Sequence, residues 1–491
     1  MALALLSLVV SSQTAFALVR EINLNGLALQ SDAIVVGTVT NANSFWQDGQ
    51  VYTDVRVLVE QTIKGEPLPA EITVRQPGGQ VGDIREWAED VPSFAIGERA
   101  VLFLTRTGEA PFDLAGAFQG KLPVENDNVF VDGGYVPLAG LLDRVSAILD
   151  GRAAAPTETE PQPPAAPETA CAITSITPAS ASAGTGSEVD ISGTNFDAAG
   201  TVTFFRSSGQ LPIGASHGPW GPTLIEDVVV PGNWDFGASS GDVTVTPDSA
   251  PADKCPKDFY VTFSYNGDKW SGVQPSVKIE INANTPDTTN ERAAVLAGAA
   301  TWNGRARFSF ADGGVTGAVG RSQNNHNEIM WVDSAANCDP GAWLAGTLCW
   351  VWGSGTITEC DVRFNDKCLW YAGGVPPTED WLDVQSVAVH EFGHFLTLND
   401  LYGTKDTAKI MYGELGPKTI KPTLQPDDDS GIRWIYSSAV GGIAELPDLA
   451  QARAAQSASS DPPYAPLAGG LAAGVLAVGA GGWYARRRWL R

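Results

Sequence analysis

The chain is short of two things, histidine and positive charge. Only 4 of its 491 residues are histidine. Lysine and arginine number 31 against 56 aspartates and glutamates, a formal net charge of −25. A phosphate backbone needs a basic surface, so this balance argues against a nucleic-acid partner. None of the 6 cysteines falls in a C-x-x-C pair, which argues against a cysteine-ligated zinc site. What is present in quantity is apolar: 43% of residues are hydrophobic, enough for real cores and too many for a disordered acidic chain. At roughly 150 residues per domain, the length predicts about three domains.

Both ends read as membrane-directed. Residues 2–17 form an apolar stretch closing on Ala15-Phe16-Ala17, an A-x-A cleavage pattern, so 1–17 is expected to be a signal peptide. Residues 466–484 are uncharged, and Arg486, Arg487, Arg488 and Arg491 follow. A run of that length can span a bilayer, and the arginines would keep its end cytoplasmic. The 466–491 tail is similar to bacterial C-terminal sorting tails. The expectation is an exported protein, at the cell surface or extracellular, attached to the membrane through this tail. Six cysteines suit disulfides in that setting. Cys171 and Cys255 bracket one segment, while Cys338, Cys349, Cys360 and Cys368 allow three pairings among themselves. Nothing in the sequence sets an oligomeric state.

Between the ends, residues 18–150 alternate apolar and polar over short runs at 33–39, 51–60, 71–76 and 100–105. With a helical stretch over 138–149 they predict a β-rich domain similar to small β-barrel modules. Residues 151–170 are rich in proline, alanine and glutamate and read as a linker. Residues 171–264 open with Ile173, Ile176, Pro178, Gly184, Gly193 and Phe196 in a spacing that resembles the start of IPT/TIG modules. That resemblance implies an immunoglobulin-like β-sandwich, with a later strand over 241–246. Residues 265–437 mix strands (276–282, 328–332) with helices (289–302, 381–398), an α+β or α/β pattern. Residues 438–465 are a spacer rich in small residues.

Two of the four histidines stand together. His390, Glu391 and His394 form H-E-x-x-H. On a helix, positions i and i+4 share a face, so both imidazoles can meet one ion, and Glu391 can take a proton from water beside it. The competing reading is a partly buried helix with hydrogen-bonded histidines, since Val387, Ala388 and Val389 before them are apolar.

The downstream sequence resembles the metzincins, and among them the matrixins. Their pattern is H-E-x-x-H-x-x-G-x-x-H/D followed by a Met-turn. Asp400 stands at the third ligand position, Met411 at the Met-turn, and Leu424 to Ile432 resembles the final matrixin helix. Residues 357–365 and Trp302 resemble a strand and the first helix of the family. The resemblance implies Zn²⁺ held by His390, His394 and Asp400, with Glu391 as general base, hydrolysing protein or peptide substrates. Ca²⁺ is a second candidate ion through 427–429, where helix capping is the plainer explanation. His326 is a candidate for a structural ion or a polar loop residue.

One position departs from the family. Thr397 stands where the pattern has glycine, so the turn after the helix is expected to be strained, with Asn399 and Asp406 as alternative third ligands. No P-R-C-G motif is present for a cysteine-based latency device. The rival function is a surface-displayed binding or adhesion protein on an inactive metzincin scaffold. Glu391 distinguishes the two, because binding alone does not require it.

Overall fold

The computed structural model describes Leu18 and residues 22–437, apart from 89–90, 107–110, 132–133, 152–169, 207–211, 233–236, 250–253, 333–337 and 339–341. The expected signal peptide (1–17), most of the linker, the spacer and the C-terminal tail lie outside these residues. Among the described residues no helix is long and apolar enough to cross a membrane.

The N-terminal strands are longer than their sequence signals. Ala33–Gln47 and Gln50–Lys64 form a hairpin turned by Asp48 and Gly49, both at positive φ. Glu71–Pro77, Phe112–Leu114 and Arg99–Arg106 follow in the sheet, and Arg99–Arg106 pairs back onto Ala33–Gln47. The ring closes, so none of its five strands is left as an open edge of the ring. Alternate residues such as Val35, Val55, Val57, Leu102 and Leu104 form one core. Their neighbours Ile34, Val36, Val101 and Phe103 form a second core under the helices Leu24–Gln30 and Leu138–Leu149.

Residues of 171–264 form two sheets that share one core. One holds Ala172–Thr177, Glu188–Thr194 and Leu224–Val229, and the other runs through Cys255–Tyr265, Gly241–Pro247 and Gly200–Phe204. A Cys171–Cys255 disulfide links the start of the segment to its last long strand.

The elements that build the functional site are numbered separately. They are β1 (Ile84–Ala88), β2 (Ser276–Asn282), α1 (Glu291–Trp302), β3 (Ser309–Val315), β4 (Glu328–Val332), β5 (Ala345–Trp352), β6 (Thr356–Asn365), α2 (Val384–Phe395) and α3 (Pro426–Tyr436). Their sheet runs β3-β2-β4-β6-β5-β1. Neighbours from β3 to β6 are parallel, and β5 is antiparallel to β6. The Cys349–Cys360 disulfide joins partners directly across β5 and β6, and Cys338–Cys368 is the other pairing of the four clustered cysteines.

Two strands of this sheet come from the N-terminal segment, Gly79–Val81 at the edge and β1 inside it, paired antiparallel. Gly78 and Gly79, both at positive φ, stand where the chain leaves the barrel, and β1 follows the turn at Gly82 and Asp83. It then pairs antiparallel along β5 from Leu348↔Ala88 to Trp352↔Ile84. Arg85 of β1 forms an ion pair with buried Asp268.

Helix α2 is shorter than the expected 381–398. The side chain of Asp383 accepts from the Ser386 N–H and caps the helix, and Leu382–Asp383 is extended instead. At the other end Thr397, at φ +60°, turns the chain out of the helix. Helix α1 lies close against α2. A Cβ on Gly298 would come within 2.8 Å of the Ala388 Cβ, and the Trp302 indole donates to the Val389 carbonyl at 2.9 Å.

Candidate metal centre

α2 carries His390, Glu391 and His394 on buried turns, 3%, 0% and 0% exposed. Nδ1 of His390 lies 2.8 Å from the Ile410 carbonyl, and Nδ1 of His394 lies 2.8 Å from the Leu398 carbonyl. A carbonyl only accepts, so in both rings Nδ1 carries the proton and Nε2 keeps its lone pair. Those two Nε2 atoms face one another at 3.0 Å. Oδ1 of Asp400 stands 3.2 Å from the first and 3.6 Å from the second.

Two lone pairs and a carboxylate oxygen therefore converge in a buried space. Such a set repels itself unless a cation lies between its members. All three donor atoms lie within 4.8 Å of one another, and two imidazoles with a carboxylate are a sound donor set for zinc. Among the described residues, this is the group of His, Cys, Asp and Glu side chains that could hold a metal.

The two alternative ligands are engaged elsewhere. Asp406 is buried, accepts from the Ser240 N–H at 2.9 Å and its hydroxyl at 2.6 Å, and pairs with Lys409 at 2.8 Å. Asn399 pairs with Ser264 in a short strand and donates to its hydroxyl. Thr397 occupies a left-handed conformation that usually favours glycine, at a cost of about 1–2 kcal/mol. Its hydroxyl donates to the Asp268 carbonyl at 2.5 Å, and its carbonyl accepts from the Asn266 N–H at 3.1 Å. These bonds offset the strain and hold the turn that brings Asp400 back to the histidines.

Met411 lies directly under α2. It is buried, and a Cβ on Gly393 would overlap its sulfur. Asp428, at the start of α3, accepts from the Ile410 N–H at 3.0 Å, the Met411 N–H at 3.4 Å and the Gln425 N–H at 2.8 Å. The acidic run 427–429 is thus spent on capping and on pairs with Lys409 and Arg433. His326 is half-exposed and lies 2.8 Å from Oε1 of Glu280, which raises its pKa.

Several residues at the site carry no sequence motif. Thr347 on β5 donates its hydroxyl to Oε2 of Glu391 at 2.8 Å. The Trp87 ring of β1 lies 5.7 Å from the His394 ring. Leu18 is 1% exposed and lines a pocket together with Ser386, His390, Ile410, Tyr412, Leu415 and Lys421. Only their placement in the fold reveals them.

Comparison with known proteins bears on this block. Residues 269–437 match the family model "Matrixin". Metalloendoproteinase 1 of Glycine max is 41% identical over 82 residues, 16% of this chain and 26% of the relative, so the chain spans about a quarter of that relative's length. Two solved structures of myroilysin are similar at 15% and 16% identity, each with a TM-score of 0.21. They cover 35% and 34% of this chain and 97% and 85% of their own. Residues 269–437 are the part of the chain that resembles the matrixins.

Proposed function

We propose that the chain is an exported zinc endopeptidase. The observation that carries the reading is the convergence of the His390 and His394 Nε2 atoms on Asp400, with Glu391 beside them. A zinc ion held by these three residues would polarise a water molecule and the substrate carbonyl. The remaining work belongs to the chain. Glu391 takes the proton of the attacking water and passes it to the leaving amine. Thr347 holds the Glu391 carboxylate in place for both transfers. The Ile410 and Leu398 carbonyls fix both rings so that Nε2 points inward. Burial keeps bulk water from the site and strengthens each charge interaction.

The substrate is a protein or peptide. The likeness to metalloendoproteinase 1 of Glycine max and the matrixin match support that class. Export rests on the 1–17 signal pattern, and attachment rests on the 466–491 run with its arginines. The 171–264 sandwich, with its IPT/TIG-like opening, serves as a spacer in this reading.

The test is Glu391→Ala in the full chain. It should keep stoichiometric zinc and lose casein hydrolysis. Undiminished hydrolysis would remove Glu391 from the mechanism.

A further inference from the structure

The stretch that carries Asp400 is seated on the sandwich, which does more than space the ends of the chain. Leu398 and Asn399 pair antiparallel with Tyr265 and Ser264, at the end of the strand Cys255–Tyr265. Leu401, next to Asp400, is 1% exposed and belongs to the sandwich core. The Tyr402 N–H donates to the Ser239 hydroxyl at 3.0 Å. A Cβ on Gly403 would overlap the Ser240 carbonyl, so the two backbones approach closely there. Asp406 accepts from the N–H and hydroxyl of Ser240, and Lys409 donates to the Val261 carbonyl. The stretch therefore takes its shape from the sandwich as well as from α2.

Tyr402 carries this support to Asp400. It is 8% exposed. Its ring lies edge-on to Phe118 of the N-terminal segment, with centroids 5.1 Å apart. On another side, a Cβ on Gly413 would come within 2.5 Å of the ring. Held in this way, its hydroxyl stands 3.5 Å from Oδ2 of Asp400, at the long end of hydrogen-bond reach. The other oxygen, Oδ1, is the one that faces Nε2 of His390 and of His394. The two oxygens thus have different neighbours, imidazoles for one and a phenol for the other. A ligating carboxylate is oriented by the donor on its second oxygen. Filling the space would need only a phenylalanine, whereas a buried phenol is used where its O–H has a partner.

We propose that Tyr402 is a positioning residue for the metal centre: seated by Ser239 of the sandwich, it holds Oδ2 of Asp400 so that Oδ1 stays turned toward the two histidines. The sandwich thereby sets how firmly the metal is retained. This inference rests on the zinc site of the endopeptidase reading, and it does not require that a peptide be cleaved.

The test uses the full chain and its Tyr402→Phe, Ser239→Ala and Ser239→Thr variants. Each is loaded with zinc, and release into a chromophoric chelator is timed. Tyr402→Phe and Ser239→Ala should release zinc about tenfold to a hundredfold faster than the parent, the usual cost of losing a partner of a metal ligand. Ser239→Thr keeps a hydroxyl and should stay near the parental rate. Loading with Co²⁺ gives a second readout: its visible bands should shift in Tyr402→Phe and hold in Ser239→Thr. Parental release and unshifted bands in Tyr402→Phe overturn the proposal. Faster release with unshifted Co²⁺ bands and a lower melting temperature of the metal-free protein also overturns it, because the ring would then be core alone. A parent that holds zinc and cleaves no peptide sinks the endopeptidase reading, while the release rates still decide the role of Tyr402. A parent that holds no zinc overturns both.

Discussion

The hydroxyl of Thr347 donates to Oε2 of Glu391 at 2.8 Å, from a strand 44 positions earlier in the chain. The carboxylate that exchanges a proton in the proposed mechanism is therefore held by the sheet as well as carried by its helix. Thr347→Val keeps the shape and removes the donor. Loss of one buried bond to a charged group is worth about 1–3 kcal/mol, so kcat/KM should fall roughly tenfold to a hundredfold. Zinc content should stay at one equivalent, and Thr347→Ser should restore most of the rate. Steady-state kinetics with metal analysis on the three proteins checks this.

Asp400, the third ligand of the proposed zinc site, can be separated from its neighbour Asp406. Asp400→Ala should lose zinc during dialysis against a chelator that leaves the parent protein loaded. Asp406→Ala should keep zinc but unfold at a lower temperature, because Lys409 loses a buried partner. Breaking such a pair costs about 3–5 kcal/mol, reduced here because Lys409 also approaches Asp427 at 3.3 Å. The reverse pattern would move the metal site to Asp406.

Thr397 carries both a strain and a compensation. Thr397→Gly removes the left-handed cost but also the bond to the Asp268 carbonyl, so stability should change by less than about 1 kcal/mol. Thr397→Val keeps the strain and drops the bond, and should cost about 1–3 kcal/mol. Denaturant melts of the two variants distinguish these outcomes.

Gly393 allows Met411 to lie against α2, and any side chain there must push the methionine away. Gly393→Ala should destabilise by about 1–3 kcal/mol, the usual cost of overpacking a core. It should also weaken zinc retention, since Ile410 beside Met411 orients His390.

Glu86 makes the β1–β5 seam sensitive to pH. Burial lifts its pKa from 4.5 to about 8, against the opposing effects of the Val51 N–H, Arg321, the Trp350 indole and Arg363. Tyr52 also faces it. A carboxyl raised in the fold binds its proton more tightly there than in the unfolded chain. Its contribution is full below about pH 4.5, is lost as pH rises toward 8, and is constant beyond. Hydrogen exchange along β1 should therefore quicken across that window beyond its intrinsic pH dependence. Glu86→Gln should remove the extra dependence.

Local spacing made part of this site legible in the sequence. His390, Glu391 and His394 lie on one helix, so their convergence follows from helical geometry alone. Asp400 and Met411 were reachable through a motif, and the strand and helix at Ser276–Asn282 and Leu138–Leu149 through periodicity. The helix at 384–395 was overextended because apolar residues on both sides continue its pattern, while the Asp383 cap and the Thr397 turn end it. Thr347, Trp87 and Leu18 were not legible. Each reaches the site through sheet pairing or chain return over a long sequence separation, and no period or motif marks a residue for that. The same holds for β1, whose short run reads as a turn-flanked fragment of the N-terminal segment until β5 is beside it.

Asp428 ties α3 to Ile410 and Met411, so the floor of the metal site depends on a helix that ends at Tyr436. A chain is synthesised from its N-terminus, and its early segments fold first. Leu18 and the barrel that presents β1 therefore exist before α3 can complete the floor. The order of synthesis means that β1, which pairs along β5, is made long before α3, so the floor under His390 is closed last, against a sheet whose N-terminal strand is already available.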